Sequence, residues 1–126
     1  MVTIDEFKKI EIKIGEIVSA EKVPETDKLL KLIVDFGEGK NGPESQTVAA
    51  GASAISTAGR QIISGISTYF PDEKILIGKK CAFATNLEPR MIRGLQSNGM
   101  ILAVSGDDFF SLLETTQNVL PGSSVK

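Results

Sequence analysis

The sequence predicts an all-β domain: a five-stranded barrel with a short N-terminal helix and a C-terminal extension. Short apolar runs alternate with charged residues at a period of two, which indicates half-buried strands. Clusters of glycine and proline separate these runs, and one helical turn falls between the third and fourth runs. Among small Greek-key barrels, this order fits the OB-fold best. We therefore predict one domain over residues 1–126, with the barrel at 9–104 and the extension at 105–126.

The first elements follow from local signals. Thr3 and Glu6 have the spacing of a capping box, which predicts a short helix over residues 2–10. Alternating isoleucines then predict a first strand over residues 10–20. Gly15 interrupts this strand and predicts a bulge or sharp bend, as a small closed barrel requires.

The later elements are shorter. A helical turn is expected after Tyr69, with Pro71 at its first helical position. Residues 45–59 have no clear period and are predicted as a short strand plus a surface excursion. The other predicted strands cover 30–36, 60–67, 80–85 and 100–104, and apolar closing segments cover 109–113 and 119–125.

Composition narrows the function. The net charge of −2 and the isoelectric point of 5.2 weigh mildly against nucleic acid, although residues 74–93 are locally basic. Histidine is absent and Cys81 is the single cysteine, so His-based catalysis and a transition-metal site are not expected. A lone cysteine fits a reducing cytoplasm, and we see no signal peptide or membrane-spanning run.

Residues 86–101 carry the strongest candidates for binding. They hold two arginines, a proline and glycines between two apolar runs, which indicates an exposed loop on a rigid scaffold. Arg90 and Arg93 could clamp a phosphate, because guanidinium groups match phosphate oxygens. The pattern alone favours two ordinary surface arginines.

Four further residues each allow two interpretations, and for Asn86 and Ser97 the pattern alone favours the structural one. Asn86 and Ser97 could hydrogen-bond bases or sugar hydroxyls, or they could satisfy the loop backbone. Met100 could present an apolar face to a base or fill the core. Lys28, in the turn before the second strand, could contact a phosphate or remain solvated.

Catalysis has little support in the sequence. The adjacent acidic pairs, Asp72-Glu73 and Asp107-Asp108, both fall in turns, where capping or solubilising roles are available. No phosphate-binding loop or dinucleotide fingerprint is present. We expect no cofactor and no metal, and an enzymatic function is the weakest of the hypotheses.

The chain resembles the tRNA-binding domain family, found at the C-terminus of many bacterial methionyl-tRNA synthetases and in free-standing tRNA-binding proteins. The resemblance covers nearly the whole chain, and its last motif is long and specific. The matching segments, in the family's order, are IDEF at 4–7, EIKIGEI at 11–17, TDKL at 26–29, VD at 34–35, RQIISGI at 60–66, LIGKK at 76–80 and NLEPRMIRGLQSNGMILA at 86–103.

The resemblance implies a non-catalytic module that recognises tRNA by shape, in support of methionyl-tRNA synthetase or as a free-standing binder. It favours function for Asn86, Ser97 and Met100, and leaves both interpretations of Arg90 and Lys28 open. It also implies a homodimer joined through the N-terminal helix region and C-terminal extension. The tRNA contacts that the resemblance implies are Lys28, Asn86, Arg90, Arg93, Ser97 and Met100.

Three departures from the family pattern stand out. Residues 39–59 form a longer segment than usual, Gln96 replaces the usual acidic residue, and the overall charge is acidic. The alternative function is a dimeric, export-related chaperone, because a close branch of the same fold binds unfolded polypeptide.

Overall fold

The computed structural model describes residues 1–37 and 59–126. These residues form one helix, two 3₁₀ turns and nine strands. The helix, α1, is Ile4–Phe7, and the 3₁₀ turns are Ser67–Tyr69 and Glu73–Leu76. The strands are β1 Ile12–Lys22, β2 Leu30–Asp35, β3 Gly59–Ser64, β4 Lys80–Ala84, β5 Arg90–Ile92, β6 Leu95–Ser97, β7 Met100–Ile101, β8 Ala103–Ser105 and β9 Phe110–Leu112.

Five strands form one antiparallel sheet in the order β3-β2-β1-β4-β7. The long β1 pairs with β2 through its second half and with β4 through its first half, so it serves both sides of the curled sheet. Strands β5 and β6 form a separate hairpin, as do β8 and β9. The prediction of an all-β, OB-like barrel is confirmed.

The core lies inside the curled sheet. Alternation along β2 places Leu30, Leu32 and Val34 inward, as the sequence pattern predicts. The largest completely buried side chains are Phe83, Ile17, Leu30, Leu32, Ile62, Leu76, Val34 and Cys81.

The C-terminal extension runs along the barrel wall. The Ile14 N–H donates to the Ser123 carbonyl at 2.9 Å, and the Val125 N–H donates to the Ile12 carbonyl at 2.8 Å. The Ala82 N–H likewise donates to the Leu113 carbonyl at 3.0 Å. The extension therefore satisfies backbone groups of β1 and β4 that the sheet leaves unpaired.

The capping box at the N-terminus is confirmed. The Glu6 N–H donates to Thr3 Oγ1 at 3.1 Å, and the Thr3 N–H donates to Glu6 Oε1 at 2.8 Å. The helix is shorter than the predicted 2–10, and it buries none of its residues within the described chain. Because no face of the helix is buried against the described part of the barrel, the capping box stabilises only one helical turn.

The expected bulge at Gly15 is wrong in position. The register of β1 against β2 shifts between Ile17 and Ser19. Gly15 has a different role, because a Cβ there would lie 2.5 Å from Val34 Cγ1 and 2.6 Å from Phe36 Cε1. The glycine lets β2 side chains pack directly onto the β1 backbone.

Three further elements differ from the prediction. The loop expected over residues 86–101 contains the β5–β6 hairpin. The predicted fifth strand is divided into two strands. The first, β7, pairs with β4, and the second, β8, pairs with β9. Pro71 does not start the helical turn, since Asp72 caps the turn at Glu73–Leu76 with its carboxylate. Residues 45–58 lie outside the described residues.

No helix within residues 1–37 and 59–126 has both the length and the apolar character of a membrane span.

Candidate nucleic-acid interface

The β5–β6 hairpin carries an arginine at its tip. Ile92 pairs with Leu95, so Arg93 and Gly94 form a two-residue turn. Their φ angles are 54° and 81°, as the turn type favoured in tight hairpins requires. Arginine is rare in the left-handed region, and strained residues of this kind concentrate at functional sites. The turn places Arg93 at an exposed position at the tip of the hairpin.

Side chains fasten this hairpin to β3. Ser97, only 4% exposed, accepts the Ile63 N–H at its Oγ and donates to the Gly99 carbonyl, both at 3.0 Å. Gln61 adds a bond from its Nε2 to the Gln96 carbonyl at 2.9 Å. These side-chain hydrogen bonds join β6 of the hairpin to β3 at the edge of the main sheet. The hairpin is therefore fixed against the barrel.

Arg93 faces Lys28 across an open groove of ≈ 420 Å³. Both residues are exposed, and neither forms an ion pair with any carboxylate in residues 1–37 or 59–126. Two carboxylates, Glu25 and Asp27, line the same groove but form no ion pair with these cations in the described residues. Each cation can therefore donate to phosphate oxygens of a bound ligand. The other lining residues are Glu25, Thr26, Asp27, Leu29 and Ile92.

The turn that carries Lys28 is fixed by hydrogen bonds. Thr26 Oγ1 accepts the Leu29 N–H and donates to the Val23 carbonyl, both at 3.3 Å. The Lys28 carbonyl accepts the Ser67 N–H at 3.0 Å. The backbone of Lys28 is thus anchored, while its ammonium group is exposed to solvent.

The amide of Asn86 is bonded to the protein backbone. Its Oδ1 accepts the Glu11 N–H at 2.8 Å, and its Nδ2 donates to the Lys9 carbonyl at 2.7 Å. Neighbouring Thr85 donates to the Glu11 carbonyl at 3.2 Å. This geometry joins the N-terminal segment to the start of the hairpin loop, and favours positioning over base contact for Asn86.

The structure groups the six predicted contacts unevenly. Lys28 and Arg93 line one groove, and Arg90 lies exposed at the other end of the same hairpin, opposite Ser97. Met100 is exposed on β7. Asn86 and Ser97 form hydrogen bonds to the protein backbone. Direct contact with tRNA stays a prediction for all six residues.

Sequence reasoning missed Gln61 and Thr26, which brace the hairpin and the Lys28 turn. Both residues lie within segments that resemble the family, and this resemblance is the one feature of the sequence that could have identified them. Their bonding partners are set by the folded structure.

The described residues contain no cluster of metal ligands, and one cysteine thiol has a raised pKa. Across residues 1–37 and 59–126, no three cysteine, aspartate or glutamate side chains converge as metal ligands would. Cys81 is a buried free thiol on β4. Burial, with a smaller contribution from the Glu114 charge, raises the pKa of Cys81 from 9.0 to about 12.

Comparison with known proteins supports a nucleic-acid interface. The chain matches the family described as "Putative tRNA binding domain" over residues 12–57 and 54–124. It is 41% identical over its full length to a methionine–tRNA ligase of Methanoregula boonei, and 35% identical over 98% of its length to that of Thermotoga maritima. The chain spans only 16% of the length of each of these relatives.

Solved structures share the fold. A methionyl-tRNA synthetase-related protein of Pyrococcus horikoshii superposes with a TM-score of 0.79 and 32% identity, covering 100% of this chain and 98% of that one. The CsaA chaperone protein of Picrophilus torridus gives a TM-score of 0.77 at 24% identity, with complete coverage of both chains. At 24% identity, the similarity to the CsaA chaperone protein is evidence of a shared fold only.

Proposed function

Because the chain belongs to the tRNA binding domain family, we propose that it is a non-catalytic module that binds tRNA. The observation that carries this proposal is the pair of cations, Lys28 and Arg93, which line one groove and form no ion pair with its two carboxylates, Glu25 and Asp27. Phosphate contacts supply most of the affinity of such a surface.

Recognition would be mainly of tRNA shape. A rigid groove edge with cations at fixed positions can fit the phosphate spacing of a folded RNA without reading base sequence. Arg90 and Met100 would add contacts along the same hairpin and its neighbouring strand. Asn86 and Ser97 would hold that surface in place through the backbone bonds described above.

We further propose that the module supports methionyl-tRNA synthetase, either fused to it or as a free-standing binder. Two relatives named methionine–tRNA ligase match the chain over 98–100% of its length. A tethered tRNA-binding module raises the local tRNA concentration near a catalytic domain. We propose a cytoplasmic location, where a free thiol such as Cys81 is normally kept reduced.

A salt titration of tRNA binding tests the main proposal. Affinity for bulk tRNA is measured between low and moderate salt, with double-stranded DNA of equal length as the control. We expect tighter binding to tRNA, and a log affinity that falls linearly with log salt concentration. Equal affinity for both nucleic acids, or no binding at low salt, would contradict shape-based tRNA recognition.

We also propose that the chain forms a homodimer through its N-terminal helix. The apolar residues of α1 stay exposed. They border an open groove of ≈ 410 Å³ between the two ends of the chain. A second copy would bury this face in a two-fold interface. The groove is lined by Ile4, Phe7, Lys8, Ile10, Glu11, Ile12, Ser124, Val125 and Lys126.

A pair of matched variants tests the dimer. Ile10→Glu places a charge in the groove, and Val104→Glu places one at a similarly exposed position on β8, since Ile10 is 49% and Val104 46% exposed. We expect sedimentation to report a monomer for the first variant only. An unaltered chain that sediments as a monomer would contradict the dimer. If the unaltered chain is a dimer that binds unfolded polypeptide and no tRNA, the chaperone function becomes the better proposal.

A further inference from the structure

Two aromatic rings form a stacked pair at the surface. The rings of Tyr69 and Phe110 are 4.0 Å apart between centroids and only 6° from parallel. Phe110 also meets Phe70 edge-on at 5.9 Å and packs against the buried core. Tyr69 remains 52% exposed. We call Tyr69 and Phe110 the aromatic platform: its inner ring is anchored, and its outer ring presents a face to solvent.

The platform is connected by a backbone hydrogen bond to the turn that lines the groove of Lys28 and Arg93. Tyr69 ends the 3₁₀ turn that begins at Ser67, and the Ser67 N–H donates to the Lys28 carbonyl at 3.0 Å. On the other side, Lys22 Nζ donates to the Pro71 carbonyl at 2.9 Å. Two lysines are therefore hydrogen-bonded to residues two positions from Tyr69: Lys28 to Ser67 on one side, and Lys22 to Pro71 on the other.

We infer that Tyr69 stacks an unpaired nucleobase of the bound tRNA. This inference rests on the proposed function and adds a second kind of contact to it. Aromatic side chains beside a basic groove bind single-stranded nucleotides by stacking, which tolerates any base because every base has a flat face. A ring already fixed on Phe110 loses little conformational entropy when a base stacks on it.

The surrounding charges favour a nucleotide over an apolar peptide. Lys28 has no ion-pair partner in the described residues. Half-exposed Lys22 donates to the Pro71 carbonyl, and its ion pair with Glu73 is long, at 3.9 Å. Either ammonium group can neutralise the phosphate next to a stacked base. An apolar peptide would gain nothing from these cations, whereas a nucleotide uses both the ring and the charge.

The single tyrosine gives a direct readout. The chain contains one tyrosine, so 3-fluorotyrosine labelling gives one ¹⁹F resonance that reports on Tyr69. We expect this resonance to shift during a tRNA titration, saturating at the dissociation constant that fluorescence anisotropy of labelled tRNA gives. A fully base-paired RNA of equal charge is the control, and should leave the resonance in place.

Three variants separate stacking from packing. Tyr69→Phe keeps the ring, and should bind tRNA within about twofold of the unaltered chain. Tyr69→Leu keeps apolar contact with Phe110 but removes the flat face, so we expect about 5- to 100-fold weaker binding with an unchanged salt slope. Phe109→Leu is the matched control at another exposed aromatic residue, 60% exposed, and should bind normally.

The outcomes distinguish this inference from the function it rests on. Bound tRNA with an unshifted resonance, or normal binding by a folded Tyr69→Leu protein, would overturn the stacking role and leave tRNA binding intact. Failure of the unaltered chain to bind tRNA would overturn both.

Discussion

The side chain of Asn86 holds the backbone of Glu11, 75 residues earlier in the chain, by accepting its N–H at 2.8 Å. The same amide donates to the carbonyl of Lys9. The junction between α1 and β1 is therefore fastened to the first residue of the loop at 86–101. A change at Asn86 should consequently affect the fold before it affects RNA contact.

Replacing Asn86 with alanine should lower the free energy of unfolding. Two hydrogen bonds are lost, and each contributes about 0.5–1.5 kcal/mol, so we expect a loss of roughly 1–3 kcal/mol in urea denaturation. Asn118→Ala is the control, because within the described residues its side chain bonds only to the Lys80 ammonium, at 3.1 Å. A variant of normal stability with weakened tRNA binding would instead indicate direct contact by Asn86.

Ser97→Ala should destabilise the barrel at its closure. The hydroxyl is buried, and its removal leaves the Ile63 N–H without a partner. An unsatisfied buried donor costs about 1–3 kcal/mol, which thermal or urea unfolding can measure. Ser111→Ala, at an exposed position, should change stability by less than about 0.5 kcal/mol. Equal losses in the two variants would argue against this role of Ser97.

Arg93→Asn should separate turn geometry from charge. Asparagine adopts the left-handed conformation more readily than arginine, so stability should rise by roughly 0.5–1 kcal/mol. Loss of the guanidinium should weaken tRNA binding by about 1–3 kcal/mol and lower the salt slope by about one. Lys79→Asn is the comparison, because Glu114 already lies 3.4 Å from that ammonium group. Unchanged affinity in the Arg93 variant would place the interface elsewhere.

Gly15→Ala should destabilise the sheet by about 1–3 kcal/mol, the usual cost of overpacking a core. The new methyl group would overlap Val34 and Phe36, which lie 2.5 and 2.6 Å from its position. Gly65→Ala is the control, because the nearest atom to a Cβ there is the Lys28 carbonyl oxygen at 4.0 Å. A tolerated alanine at residue 15 would mean that β2 can move away from β1.

Cys81 should make stability depend on alkaline pH. Burial raises its pKa from 9.0 to about 12, so the folded chain keeps the thiol proton after the unfolded chain has lost it. The contribution of this group is complete below pH 9 and falls by about 1.4 kcal/mol per pH unit from there towards pH 12. The difference in unfolding free energy between the unaltered chain and Cys81→Ala should stay constant below pH 9 and decline above it. A constant difference up to pH 11 would contradict the raised pKa.

Local patterns predicted much of the fold. The capping box at Thr3 and Glu6 and the alternation along β2 depend on neighbours in sequence, so the sequence reveals them directly. The β5–β6 hairpin escaped prediction because each strand has three residues, too few to show a period. Its stability comes from bonds to Gln61 and Ile63 on β3, which no local pattern contains.

The candidate site was predictable residue by residue, but its arrangement was not. Motif resemblance pointed to Lys28 and Arg93, yet their shared groove depends on how the hairpin packs beside the turn before β2. Asn86 and Ser97 carry polar groups that could serve either RNA or backbone. Only the folded positions of Glu11 and Ile63 reveal that these groups already have partners.

The bond between Val125 and Ile12 has a kinetic consequence. It joins the start of β1 to residue 125, and the bonds of Asn86 to Lys9 and Glu11 span 77 and 75 positions in the sequence. Proteins closed by such non-local contacts fold slowly, in milliseconds to seconds, because loop closure costs entropy before the contacts form. On the ribosome, β1 would therefore wait with open hydrogen-bonding groups until the segment around Val125 emerges. The domain should therefore close only after residue 125 has left the ribosome, well after the loop at residues 86–101 has emerged.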